Sequence, residues 1–359
     1  MRKLAVLFPG IGYTMDRPLL HFSRRLAAGL GYEIRPLPYS GFPSGVRGDR
    51  EKLLLCCETA RTQAEKMLSD MEMSSYDDIL FIGKSIGTVA AADLAARSPV
   101  ADRIRQVIYT PLENTFSASI RDAVVFTGGD DPWTGGKDSR IPALCAAQKI
   151  PCHVIPGANH SLETECVESD LANLRRILQI GAWYIRRMSI REARRTDFPA
   201  VGALHVFNQR TTYRGLLSDN YLDGLDPADR SGKWKTFAEQ EGQKLFVAED
   251  ETGLLGFAAC RADPEDASRL YLDSLHTSPK ARGQGVGTAL MRHVGRYARE
   301  KGYRAMSVCI VRGNERARSL YTKTGAVHEK DFMDSFEGTI SVSEKLRWPD
   351  LGFADHGAF

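Results

Sequence analysis

The stretch Ala281–Leu290, ARGQGVGTAL, is the point from which the rest of the chain can be read. An arginine and two glycines, spaced Arg282-x-x-Gly285-x-Gly287, follow a strand-like run from Arg269 to Thr277 and open an amphipathic stretch from Thr288 to Glu300. A helix N-terminus carries unpaired backbone N–H groups and a partial positive charge, and glycines let a pyrophosphate approach that backbone directly. The spacing predicts an anion cradle. No acidic residue suited to a ribose hydroxyl stands about twenty residues further on, where a dinucleotide site would want one, so a nucleotide other than NAD is favoured.

A second segment stands downstream of the strand-like run Ala305 to Ile310. In it, Asn314, Ala317 and Tyr321 fall on one face of a predicted helix that runs toward Gly325. A half-buried core tyrosine is the plainer reading of Tyr321. Taken together, the two motifs carry a resemblance: from Met188 to about Trp348 the chain resembles the GNAT superfamily of N-acetyltransferases. That family's patterns, Arg/Gln-x-x-Gly-x-Gly/Ala and Asn-x-x-Ala-x-x-x-Tyr-x-x-x-Gly, are matched without a gap.

The resemblance implies acetyl-CoA as co-substrate, with no metal. Its pyrophosphate would lie on Arg282, Gly283, Gln284, Gly285, Val286, Gly287 and Thr288, its pantetheine arm along the backbone of Leu275, His276 and Thr277, and Asn314 would stand on the cofactor side. Tyr321 would protonate the departing thiolate, a role that suits a phenol because its pKa, near 10, is close to that of a thiol. The acceptor would dock at the segment Thr212–Asp223. In and just after that segment, Asp219, Asp223, Asp226 and Asp229 favour a cationic small-molecule amine, although a solvated helix face accounts for them equally well. A neutral amine must lose a proton as it attacks, and Asp273 is the first candidate to receive it, with His276 next.

The length of 359 residues suggests two domains at about 150 residues each. A balance of 48 basic against 45 acidic residues argues against a dedicated nucleic-acid partner. Seven cysteines, with no CxxC pair and no zinc-like spacing, fit a reduced cytoplasmic compartment. The run Leu4–Phe8 is too short for a signal peptide, and no window reaches the roughly 18 apolar residues of a membrane span.

The first half alternates strands and helices, which predicts a parallel α/β sheet covered on both faces. Apolar runs at Leu4–Phe8 and Asp78–Ile82 read as strands buried on both sides. The second run leads into Gly83-x-Ser85-x-Gly87 and then a helix, the context of a nucleophile elbow. Asp131 follows the strand Ala123–Thr127, His160 follows the strand Pro151–Ile155, and the order Ser85, Asp131, His160 is that of the α/β-hydrolases.

By that resemblance, residues 1–187 look like a compact α/β-hydrolase. Ser85 would attack, His160 would take its proton and Asp131 would orient the imidazole, with Asp131 fitting the family's Gly-x-x-Asp-Pro habit better than Asp130. The oxyanion donors would be the Ile86 N–H and one from Ile11 or Gly12. Ser85 as a helix cap, Asp131 as a turn former and His160 as a loop residue are the bland alternatives.

The expected architecture is thus an α/β-hydrolase-like domain at 1–187, a GNAT α+β domain at 188–348 and a polar tail at 349–359. The expected activity is bifunctional: acetyl transfer to an amine, joined to an esterase, thioesterase or amidase acting on the same metabolite, in a chain that could form a homodimer. An acyl-thioester hydrolase with a CoA-binding second domain, or a transferase with a silent first domain, stays open.

Overall fold

The computed structural model describes residues 2–336 and 339–354. The chain divides into two compact units, Met1–Arg186 and Arg187–Phe359. Among the described residues, no helix is long and apolar enough to cross a membrane.

The first unit runs β1 (Lys3–Phe8), α1 (Pro18–Gly29), β2 (Tyr32–Pro36), α2 (Arg50–Leu68), β3 (Asp78–Lys84), α3 (Ile86–Arg97), β4 (Ile104–Tyr109), β5 (Ala123–Gly128), α4 (Ile141–Ala147), β6 (Cys152–Ile155) and α5 (Val167–Ile185). The six strands form one sheet in the order β2-β1-β3-β4-β5-β6, and every neighbouring pair is parallel, as the alternation of elements predicted. Successive side chains of a strand point to opposite faces, and β1 sorts accordingly. Leu4, Val6 and Phe8 join a core with α2 and α3, while Ala5 and Leu7 join a second core with α1 and α5. A strand with both faces covered must be apolar throughout, which is why Leu4–Phe8 carries no polar residue.

The second unit runs β7 (Ser189–Glu192), α6 (Phe198–Thr212), α7 (Asp219–Asp223), α8 (Pro227–Glu239), β8 (Lys244–Asp250), β9 (Gly253–Ala262), β10 (Arg269–Thr277), α9 (Val286–Glu300), β11 (Ala305–Val311), α10 (Glu315–Lys323), β12 (Val327–Phe336) and β13 (Thr339–Trp348). Its seven-stranded sheet, β12-β13-β11-β10-β9-β8-β7, is mixed, since only β10 and β11 run parallel. Phe198 and Val201 of α6 and Trp234 of α8 pack with Leu245, Val247, Phe257 and Ala259 on one face. The other face meets α9, where the ring of Phe246 touches His293 and Tyr297.

Strand β10 is where the sheet opens. It pairs with β9 along its length, with an irregularity between Leu272 and Ser274 that places Asp273 in a bulge. With β11 it pairs only over Arg269–Leu272, after which the two strands diverge. The backbone of residues 273–277 therefore keeps one edge without a strand partner, a row of N–H and C=O groups ready to accept another extended chain.

The polar tail expected from 349 onward is ordered as far as it is described. Phe353 packs against Trp348 at 5.4 Å, and a Cβ on Gly295 of α9 would come within 2.9 Å of the Phe353 ring. Leu351 and Ala354 are buried as well, so two apolar residues and one aromatic ring outweigh the polar character of the stretch. Residues 355–359 of that expected tail lie outside the described residues.

Candidate active sites

In the first unit, the turn from β3 to α3 holds Ser85 at φ 54° and ψ −125°, a left-handed backbone that a non-glycine residue adopts only under constraint. Neighbouring glycines make the constraint possible. A Cβ on Gly87 would fall 2.2 Å from the Phe8 carbonyl oxygen, and one on Gly83 would fall 3.0 Å from the Thr88 Cα. In both cases the atom met is backbone, so a side chain at either position would force the turn to shift. The pattern Gly83-x-Ser85-x-Gly87 is thus a packing requirement of the turn.

Asp131 and His160 reach the same turn from the ends of β5 and β6. A Cβ on Gly128 would strike the Ala158 carbonyl oxygen at 2.2 Å, so glycine lets the two loops close on each other. His160 Nδ1 lies 2.7 Å from Asp131 Oδ2, and Nε2 lies 2.8 Å from Ser85 Oγ. A carboxylate only accepts hydrogen bonds, so Nδ1 carries the proton and Nε2 offers its lone pair to the serine hydroxyl. Asp131 is fully buried, its Oδ1 accepting from the Trp133 N–H at 2.9 Å, whereas Asp130 is exposed. Burial pushes the His160 imidazole below its usual pKa; the Asp131 hydrogen bond opposes this, and the charge of Lys84 adds to it.

Of the expected oxyanion donors, Ile86 is fully buried at the first position of α3. Ile11 and Gly12 lie in the turn closed by the Gly10–Tyr13 bridge, and a Cβ on Gly10 would sit 3.0 Å from the Ser85 Cβ. Two residues without an assigned role in the sequence reading join them. The Trp133 ring stacks on the His160 ring at 5.3 Å, shielding the imidazole from water. Lys84 Nζ donates to the His160 carbonyl at 2.8 Å. His153, which is inside β6, stacks on Phe126 instead, away from the serine.

In the second unit, Gly283 and Gly285 take φ 75° and 83°, the left-handed values that favour glycine. Gly285 is the residue before α9, so the first N–H groups of that helix face out of the loop. Arg282 Nη2 donates to Asn208 Oδ1 at 2.8 Å, and Asn208 Nδ2 donates to the Thr277 carbonyl at 3.0 Å. Asn208, on α6, thereby ties the loop to the open strand. Burial and the like charge of Arg316 push the Arg282 pKa down, and an anion between the two guanidinium groups would relieve that repulsion.

Asn314 is not a member of the helix with Ala317 and Tyr321 but its cap: Oδ1 accepts from the Ala317 N–H at 3.2 Å, and Nδ2 reaches the Tyr213 hydroxyl at 3.5 Å. A short polar side chain before a helix finds its bond in the first turn, which is the stronger preference. Gly325 ends α10 at φ 95°, where the N–H groups of Gly325 and Ala326 return to the carbonyls of Thr322 and Tyr321. Tyr321 is buried edge-on to Trp348, and burial raises its pKa well above the ordinary value.

Several expected side chains are placed less simply. Asp273 accepts from Arg261 Nε at 3.1 Å and is ion-paired there. The His276 ring stacks against both His205 and Phe257, and burial pushes its pKa down to about 4. Of the four aspartates read as an acceptor surface, Asp219 and Asp223 are bound by Arg214, and Asp226 caps α8 through the Ala228 N–H. Asp229 lies in the first turn of α8. One arginine thus pairs with two of the four carboxylates.

Residues 210–326 match the model of the Acetyltransferase (GNAT) family. The N-acetyltransferase YuaI of Bacillus subtilis is 29% identical over 171 residues, spanning 46% of this chain and 94% of that protein. Streptothricin acetyltransferase of Streptomyces lavendulae is 30% identical over 127 residues, 35% of this chain and 62% of that protein. Among solved structures, PaiA N-acetyltransferase of Thermoplasma acidophilum in complex with coenzyme A covers 44% of this chain and 97% of its own, at 18% identity and a TM-score of 0.35. With the glycine loop, the cap and the helix of its second unit inside the matched segment, residues 210–326 of this chain are a domain of the GNAT acetyltransferase family.

Proposed function

We propose that the second unit transfers the acetyl group of acetyl-CoA to an amine of a small molecule, and that the first is an α/β-hydrolase fold with a working Ser85–His160–Asp131 triad. The observation that carries the transferase reading is the unpartnered edge at residues 273–277 beside the Gly283–Gly285 loop. Such an edge can receive the pantetheine arm as an extra strand while the loop takes the pyrophosphate. The amine nitrogen attacks the thioester carbonyl, the C–S bond breaks, the thiolate takes the Tyr321 proton, and the amine proton leaves through solvent or Asp273.

In the first unit, the hydrogen-bonded chain from Asp131 through His160 to Ser85 supports esterase, thioesterase or amidase chemistry. The test of both readings is acetyl-CoA turnover, followed as free thiol, against amino acids, short peptides, aminoglycosides and polyamines. Acceptor-dependent release retained in Ser85→Ala is the expected result. Release that needs no acceptor and vanishes in Ser85→Ala would make the chain a thioesterase instead.

The bridge from Arg282 through Asn208 to Thr277 fixes the loop before cofactor arrives. Asn208→Ala is expected to raise the KM for acetyl-CoA about tenfold, with kcat little changed, because it removes preorganisation and leaves the reacting atoms untouched. Steady-state kinetics at saturating acceptor check this.

A further inference from the structure

Lys84 is 1% exposed, the last residue of β3 and the neighbour of Ser85. Its Nζ donates to the His160 carbonyl at 2.8 Å and lies over the Tyr13 ring at 4.8 Å. The charged groups that act on it are Asp131 and Glu163. Gly10 packs beside this residue, where a Cβ would stand 3.2 Å from the Lys84 carbonyl oxygen. Burying an ammonium is costly unless it is well paired, and a methionine would fill the same space without the charge. This cation is therefore a poor choice for stability, and what it touches is the loop that carries His160.

We propose that Lys84 is a positioning residue of the hydrolase site, clamping the His160 loop to the Ser85 turn and holding His160 in the neutral form that accepts the serine proton. The inference rests on the reading of Ser85, His160 and Asp131 as a working triad. A positive charge beside an imidazole disfavours its protonation, so Lys84 extends the range over which His160 stays a base toward lower pH. Tyr13, the aromatic neighbour on the other side, stays neutral at working pH, since burial pushes its pKa up to about 12.

Burial pushes the Lys84 pKa from 10.5 down to about 7, outweighing Asp131 and Glu163. The unfolded chain then binds more protons than the folded one between those two values, so the contribution of Lys84 to stability rises with pH from about 7 to 10.5. Replacing the lysine removes that slope.

The experiment is the rate of covalent labelling of the full chain by a fluorophosphonate probe between pH 5 and 9, for wild type, Lys84→Met and Lys84→Gln, with thermal unfolding at pH 7 and 10. Lys84→Met should label at least about tenfold more slowly, with its acid limb at higher pH and an unfolding temperature at pH 7 no lower than wild type. Lys84→Gln keeps a donor for the His160 carbonyl without the charge, so it should recover part of the rate and keep the displaced acid limb. Wild type labelled at Ser85, with both variants at its rate and pH midpoint, would overturn the inference alone. Wild type that takes no label would overturn the triad reading and this inference with it.

Discussion

Tyr321→Phe is expected to lower kcat for acetyl transfer by about 100-fold or more while leaving the KM for acetyl-CoA within about twofold, the pattern of a group that acts only as the thiolate leaves. The side chain is buried edge-on to Trp348, and desolvation raises its pKa, so the phenol holds its proton at neutral pH and enters the reaction as an acid. Removing one oxygen from a ring that keeps its packing leaves the fold in place, and unchanged acetyl-CoA binding by calorimetry separates the chemistry from the site. A variant with wild-type kcat would assign the proton to water and return Tyr321 to the core.

Ser85→Ala is expected to abolish fluorophosphonate labelling, and Asp131→Asn to slow it by roughly 10³- to 10⁴-fold, with both variants folded. The label forms when Ser85 Oγ displaces fluoride from phosphorus and its proton passes to His160 Nε2. Asparagine at 131 can present an N–H to Nδ1, which shifts the imidazole proton to Nε2, and a protonated Nε2 cannot take the serine proton. Wild-type labelling in Asp131→Asn would show that the hydrogen-bonded chain does not serve the serine.

The two units differ in how much of them was legible, and the difference is physical. In the first, each central strand is buried on both faces, so runs such as Leu4–Phe8 and Ala123–Thr127 announce themselves without a partner in view. The second unit has antiparallel strands whose polar residues are satisfied across the sheet. Strand β13 carries Glu344 and Lys345 into buried positions, where Glu344 meets Arg318 and Lys345 meets Asp263, partners far off in sequence. A charged pair like this reads as a solvated edge, and the sequence reading assigns no strand there.

The same limit applies at the sites. Ser85, Asp131 and His160 stand at strand ends in an order that could be read, because each needs a local turn with its own glycine or proline. Lys84, Trp133 and Asn208 act through contacts 76, 27 and 74 residues away, to His160 (from Lys84 and Trp133) and to Arg282 (from Asn208), and their types carry no local signal. Around α7 the acidic spacing is visible in the sequence, but Arg214, which pairs with Asp219 and Asp223, meets them only once the loop has folded.

The divergence of β10 from β11 has an evolutionary side. Recognition through an open run of peptide groups is indifferent to the side chains of that run, so under the proposed reading residues such as Leu275 and Thr277 can drift while the cofactor remains bound. Selection on the acceptor then acts elsewhere, on α6, α7 and the loop between them. A lineage could change which amine it acetylates many times over without once having to relearn how to hold its acyl donor.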